Sequence, residues 1–291
     1  MATAAKEEQK IKVDLHIHSN ISDGLYPPKE VVARASADEL DIIAIADHDA
    51  IGGIDDASKE ARARGLTLIP AIEFSCTLEG RDVHIIGYLT DCHNHALLKW
   101  VSDFQQARRQ RLKEMVAILQ SLGISIDLQE IEGDHQAESI GRPHVAQAMV
   151  RKGYVHTANE AYDRYLRKGA PAFVPKKMVL PWEVIDLINT CGGISVWTHP
   201  ERKTFSSYID LLCSHGLHGV EAFNPKLKLV DTDRLLQATR KYNLLVTGGS
   251  DWHGLESDKP LGNFSIDSEE IKPFFDLYES LQEEQNSPQP R

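Results

Sequence analysis

The chain has 291 residues, 42% hydrophobic and 26% charged, with a formal net charge of -11. This is an ordinary globular composition, and its acidity excludes a basic groove for long duplex nucleic acid but not a short phosphorylated substrate. Four cysteines without a CxxC pair, no secretory h-region in MATAAKEEQK and no bilayer-length apolar run predict a cytoplasmic location, no membrane and no obligate protein partner.

In chain order, residues 1–10 read as a flexible tail and residues 11–17 as a first strand. Pro27 and Pro28 open a helix with Val31, Val32, Ala35 and Leu40 on a helical period. IIAIAD at 42–47 is a short buried strand. A helix through Ile54, Ala57 and Ala61 follows, closed near Gly65. LTLIPAIE at 66–73 and DVHIIGY at 82–88 are a third and fourth strand. The strand–helix rhythm predicts an α/β domain of parallel strands with crossover helices.

The rhythm breaks near Asn94. Residues 97–122 read as one long helix, with the charge run QARRQRLKE as a solvated face; 125–133 is irregular, and 142–152 and 158–167 are short helices split by Gly153. This predicts a helical insertion over 96–169, within a barrel made of 11–95 and 170–282. A helix at 180–189, strands at 192–200 and 217–223, a helix at 231–242 and a strand at 244–253 then resume the series. NFSI at 263–266 is a short extended piece, a helix spans 268–281, and 283–291 is a flexible tail.

Chemistry-bearing residues gather at the predicted strand ends. In DLHIHSNISDG, His16 and His18 are two apart, so a strand turns both imidazoles one way, with Asp23 in the following turn. His48 ends the second strand, Glu73 the third, His84 lines the fourth, His199 ends WTH, and Asp251 and His253 end the last. Barrel-like α/β folds collect their chemistry at the C-terminal ends of strands. Each residue has an ordinary explanation as a loop, core or capping group. Six histidines and three carboxylates converging at one end of the fold fit two or three divalent ions better than one.

The stretches DLHIHSNISDG, AIADHD, IPAIEFS, VHIIGY, WTHP and GSDWHG resemble, in order, the polymerase and histidinol phosphatase (PHP) family of metal-dependent phosphoesterases. The resemblance implies a distorted (β/α)7-type barrel. It also implies one ion on His16, His18, Glu73 and Asp251, a second on Glu73, His84 and His199, and a third on Asp23, His48 and His253. The attacking water would then be held through Glu73, Asp251 and His199. Manganese is the implied metal, with zinc or iron as alternatives. The insertion motifs IGRPHVAQAM and YDRYLRKGAPAFVP resemble one branch, whose members remove the 3′-phosphate of nucleoside 3′,5′-bisphosphates such as pAp or trim short 5′-phosphorylated RNAs. Ala46 and Trp197 depart from the family pattern without removing a ligand, and Trp197 is expected to narrow the pocket.

For the substrate, Arg142 and His144 in GRPH sit where a helix N-terminus and a guanidinium suit phosphate. Lys168, beside Arg167, is a weaker phosphate candidate. Glu221 is expected either to orient a ligand or to meet a substrate hydroxyl. Asp14, Asp47 and Asp49 are expected to steady imidazoles. Tyr154, Tyr162, Tyr165 and Phe173 are the stacking candidates. The rivals are a phosphatase for another small phosphomonoester such as histidinol phosphate, an amidohydrolase, and a binding module that keeps its metals without turnover. No lysine sits at a strand end to bridge metals as a carbamate, which argues against the amidohydrolase.

Overall fold

The computed structural model describes residues 10–89, 91–132 and 137–286; positions 1–9 and 287–291 of the expected tails lie outside them. The barrel half opens with β1 (Lys12–Ile17), α1 (Pro28–Ala37), β2 (Ile42–Ile45), α2 (Ile54–Arg64), β3 (Thr67–Leu78) and β4 (Arg81–Tyr88). The helical segment follows as α3 (His95–Ser121), α4 (Leu128–Glu132), α5 (Arg142–Arg151) and α6 (Ala158–Ala161), which runs on into a single π-turn. The series then closes with α7 (Pro181–Thr190), β5 (Ile194–Trp197), α8 (Arg202–Ser214), β6 (Gly219–Phe223), α9 (Leu229–Tyr242), β7 (Leu245–Gly248), β8 (Ile266–Asp267) and α10 (Lys272–Asn286).

The strands form one sheet in the order β7-β6-β5-β4-β3-β2-β1-β8. A parallel bridge between Ile17 and Trp252 brings the two ends together, so the sheet is a nearly closed barrel. Two parallel triplets, β1-β2-β3 and β5-β6-β7, flank β4, which is antiparallel to both β3 and β5. Here the all-parallel expectation fails. β3 does not end at Glu73 but continues to Leu78 and turns tightly through Glu79 and Gly80, both at positive φ, into β4. The reversal matters for chemistry, because the first half of β4 lies at the mouth where the parallel strands end. His84 reaches the site from there.

Apolar burial among the described residues falls into four clusters, three in the barrel and one in the helical segment. Val13, Leu15, Ala44, Ala71, Tyr88 and Val196 pack with Phe274 and Tyr278 of α10. Small alanines on β2 and β3 leave room for those rings. A separate cluster runs from Leu112 to Val174 and contains Met115, Leu119, Val145 and Met149, so the helical segment has its own core. The first turns of α3 belong instead to the barrel, through Leu97, Val101 and Phe104. Helix α8 is absent from the sequence expectation, although Phe205, Ile209 and Leu212 form its buried stripe. The C-terminal helix outlasts its expected end and runs to Asn286. No described helix is long and apolar enough to cross a membrane.

Closure depends on close backbone approach. A Cβ on Gly249 would stand 2.1 Å from His16 Cβ and 2.5 Å from His16 N. Gly249→Ala is expected to destabilise the fold by about 1–3 kcal/mol, because a packed seam must spread to admit the methyl group. Urea unfolding checks this, and an unchanged midpoint would contradict it.

Candidate metal centre

Backbone register sets the site before any side chain does. His18 N–H donates to Trp252 O at 2.8 Å and Asp251 N–H to His16 O at 2.8 Å, so the ends of β1 and β7 lie side by side. Asp49 N–H donates to Glu73 O at 2.9 Å and Glu73 N–H to Asp47 O at 3.1 Å, which seats His48 beside Glu73. His199 and Asp251 leave their strands with φ of 27° and 54°. Non-glycine residues rarely adopt this region, and strain of this kind collects at functional turns.

Glu73 is the hub. It is fully buried, and its oxygens lie 2.7 Å from His48 Nδ1, 3.0 Å from His84 Nδ1, 3.1 Å from His199 Nε2, 3.5 Å from His18 Nε2 and 3.6 Å from His16 Nε2. Asp251 Oδ1 stands 3.2 Å from His18 Nε2 and 3.7 Å from His253 Nδ1. Asp23 completes the far side, 3.4 Å from His253 Nε2 and 3.9 Å from His48 Nε2. All nine sequence-derived candidates thus form one constellation. Its subdivision differs from the one the resemblance implies. The donor atom of His84 groups with His48 and Glu73, that of His199 with His16 and Glu73, and His18 joins Asp23, His48 and His253.

The electrostatics suit a cation. Burial opposes charge on Glu73, Asp23 and Asp251, yet the surrounding histidines hold all three carboxyls well below the usual range. The imidazoles diverge. Burial, then His253, carries His18 down to about 3, whereas His48, against burial, is carried up to about 9 by Glu73 and Asp23. His18 Nδ1, His48 Nδ1, His84 Nδ1 and Glu73 Oε2 are buried and make no hydrogen bond of good geometry. Such atoms are costly in a dry pocket unless a cation takes their lone pairs. Imidazole and carboxylate donors without a thiolate fit divalent ions of the Mn2+, Zn2+ or Fe2+ kind.

Of the acids expected to steady imidazoles, only Glu221 does so. Its Oε1 accepts from His16 Nδ1 at 2.9 Å, and its Oε2 accepts from His199 N at 2.9 Å and Asn224 Nδ2 at 3.1 Å. The carboxylate therefore fixes the tautomer of His16 and leaves Nε2 turned toward Glu73. With both oxygens engaged and 1% of the residue exposed, Glu221 sits behind His16. Asp14 accepts instead from the backbone of His16 and Ser250, since a register shift after it breaks the alternation of β1. Asp47 holds Ser19 and Ser22, and burial raises it to about 6.

Asp49 holds Ser75 N and forms an ion pair with Arg108, whose guanidinium also donates to Ser75 Oγ at 2.9 Å. Arg108 belongs to the charge run expected to be a solvated helix face, so that expectation is corrected. Only 16% of its side chain is exposed. Arg111, one turn further, donates to Val174 O at 2.8 Å, and burial with Arg142 and Arg108 lowers it to about 10. Arg142 opens α5, lies 3.9 Å from Asp82 and stands over the rings of Tyr162 and Phe173. His144 is occupied by backbone: Nδ1 accepts from Gly141 N at 3.1 Å, and Nε2 lies 2.8 Å from Ser22 O. It ties α5 to the Asp23 loop. Lys168 is exposed, its ammonium near Gly80 in the β3–β4 turn. Trp197 is packed against Phe205, Tyr154 OH accepts from Ser125 N, and Tyr165 OH accepts from Arg164.

Comparison with known proteins agrees with this geometry. The PHP domain family model matches residues 14–172. A 5′-3′ exoribonuclease of Haemophilus influenzae is 31% identical over 247 residues, covering 83% of this chain and 90% of that protein. A 3′,5′-nucleoside bisphosphate phosphatase of Chromobacterium violaceum is 29% identical over 247 residues, covering 83% and 87%. A Bifidobacterium adolescentis protein assigned as a metal-dependent phosphoesterase superposes with a TM-score of 0.83 at 29% identity, covering 91% of this chain and 96% of that one.

Two outcomes follow from the site. Arg108→Met strips the buried Asp49 of its cation and is expected to cost about 3 kcal/mol in chemical denaturation; a loss below 1 kcal/mol would make the pair incidental. Glu221→Gln is expected to weaken Mn2+ binding roughly 10–100-fold in calorimetric titration while leaving the circular dichroism spectrum unchanged. Undiminished affinity would remove Glu221 from its orienting role.

Proposed function

The chain belongs to the PHP-domain family of metal-dependent phosphoesterases, and on that premise we propose that it hydrolyses the 3′-phosphate of nucleoside 3′,5′-bisphosphates of the pAp kind. One observation carries this reading: a nine-residue cation site and a separate surplus of arginine stand side by side. Arg108 is matched by Asp49, and Lys176 holds Asp82 at 2.8 Å. Arg111 meets a carbonyl, and the carboxylate nearest Arg142 among the described residues is that same Asp82 at 3.9 Å. Their excess positive charge suits a second phosphate, with Arg142 at a helix N-terminus and backed by Tyr162 and Phe173.

Manganese ions on the nine ligands would supply Lewis acidity and a water acidic enough to attack phosphorus at neutral pH. The protein's own part is positional. Glu221 sets the His16 tautomer, Glu73 and Asp251 bring negative charge to the cation site, and the arginines anchor the far phosphate so that the 3′-phosphoryl group lies over Glu73. Charge growing on the phosphoryl oxygens is met by fixed positive groups, with little reorganisation. Histidinol phosphate has no second phosphate for the arginines, which disfavours that rival. The related exoribonuclease supports a second reading, in which a short 5′-phosphorylated RNA is shortened from its 5′ end.

The test is a product assay with Mn2+, comparing pAp with 3′-AMP, which lacks the 5′-phosphate. The expected result is AMP and phosphate from pAp, abolished in Asp251→Ala. Arg142→Ala should lower kcat/KM for pAp by about 10–100-fold, the worth of a charged hydrogen bond, and hardly affect 3′-AMP. Equal use of the two substrates by the wild type would overturn the arginine assignment.

A further inference from the structure

Outside the nine ligands, one further set of metal-binding donors comes together among the described residues. A carboxylate oxygen of Asp55, the Sγ of Cys92 and a ring nitrogen of His93 all lie within 4.8 Å of one another. None of the three belongs to the constellation at the barrel mouth. Asp55 stands in the first turn of α2, and Cys92 and His93 form a turn just before α3. Asp55 Oδ1 and His93 Nε2 are 3.5 Å apart. Two ligands bound at about 2.1 Å to one tetrahedral ion stand about 3.4 Å from each other, so this pair already has the spacing of a shared ion. The turn is held by its polar neighbours: His93 N–H donates to Asp91 Oδ1 at 2.9 Å, and Asn94 Oδ1 accepts from Ala96 N at 2.9 Å where α3 begins. Cys92 is half-buried against the apolar cluster that contains Phe104. The side chains of His93 and Asp55 are 69% and 63% exposed, so an ion can reach them and they can close on it without repacking.

We propose that Asp55, Cys92 and His93 bind a thiophilic divalent ion of the zinc kind, with water in the fourth position, and that this ion staples α2 to the start of α3. The donor set decides the class of metal. Thiolate and imidazole favour zinc, whereas magnesium, calcium and manganese prefer oxygen donors. The mouth, which has no thiolate, and this outer site therefore select on different grounds. Burial, then Asp55, push the Cys92 thiol up. A thiol beside a carboxylate resists ionisation until a cation is shared between them, and on binding the S–H proton leaves to solvent as the sulfur–metal bond forms. The helix so pinned is the one that carries Arg108 and Arg111. The inference is independent of which phosphate ester the mouth cleaves.

The test is spectroscopic and uses no phosphate ester. The reduced protein is titrated with Co2+, whose thiolate complexes show a near-ultraviolet charge-transfer band that nitrogen and oxygen ligands do not produce, so the mouth is silent in it. The expected result is a saturable band that Zn2+ bleaches and that is absent in Cys92→Ser. His93→Ala and Asp55→Ala should each need about tenfold more Co2+ or beyond, since even an outer partner of a metal ligand is worth that much. The three side chains are exposed or half-buried, and circular dichroism checks that the variants fold. The proposal falls if the wild type shows no band, if the band persists in Cys92→Ser, or if either His93→Ala or Asp55→Ala binds Co2+ as tightly as the wild type.

Discussion

The structure is arranged around a carboxylate that cannot be left alone. Glu73 is fully enclosed near the middle of a strand, and five histidines approach its two oxygens. A buried anion needs compensation, and no lysine or arginine among the described residues is paired with it. Compensation comes from imidazoles on β1, on β4 and on the exits of β2 and β5, so the strand order is also an order of ligands. The parallel triplets deliver histidines from their C-terminal ends, and β4 delivers its own from its N-terminal half. Backbone bonds between strand ends, such as Asp251 N to His16 O, keep these deliveries in register.

The same logic explains the ring of polar residues behind the centre. Asp14, Asp47 and Asp49 look like partners for imidazoles, yet each is spent on loop backbone, hydroxyl groups or Arg108. Only Glu221 touches a ring, because β6 places it beneath His16. The division is economical: short carboxylates fix the loops, and one longer one fixes the tautomer. Helical segment and barrel share this network. Arg108 clamps the loop that carries His48, and His144 clamps the loop that carries Asp23, so the helical segment steadies two of the metal-binding turns and does more than cover them.

Much of this was legible in the sequence. Histidines and acids at the ends of apolar runs announce one pocket, because strand ends converge wherever strands alternate with helices. The reversal of β4 was hidden, since a two-residue turn at Glu79 and Gly80 leaves little trace between runs that read equally well as parallel. Arg108 and Arg111 were hidden by their company: a polar stretch on a long helix looks solvated until a second layer packs over it. Helix α8 was overlooked because its buried residues are few and its first turn is basic. Asp14 misled through parity, which a bulge can shift by one residue.

The reversed β4 also decides where novelty can enter the fold. Its C-terminal end lies at the barrel end remote from the histidines, so the chain departs for the helical segment there and not beside the chemistry. The 27 residues of α3, about 40 Å of helix, then carry Arg108 and Arg111 up the outer wall to the mouth. The segment's entry lies far from the strand ends that hold the ligands, whereas its exit at Lys168 returns beside the β3–β4 turn. A change in the length or tilt of α3 therefore moves the arginines at the mouth and, through the Arg108–Asp49 pair, the turn that carries His48.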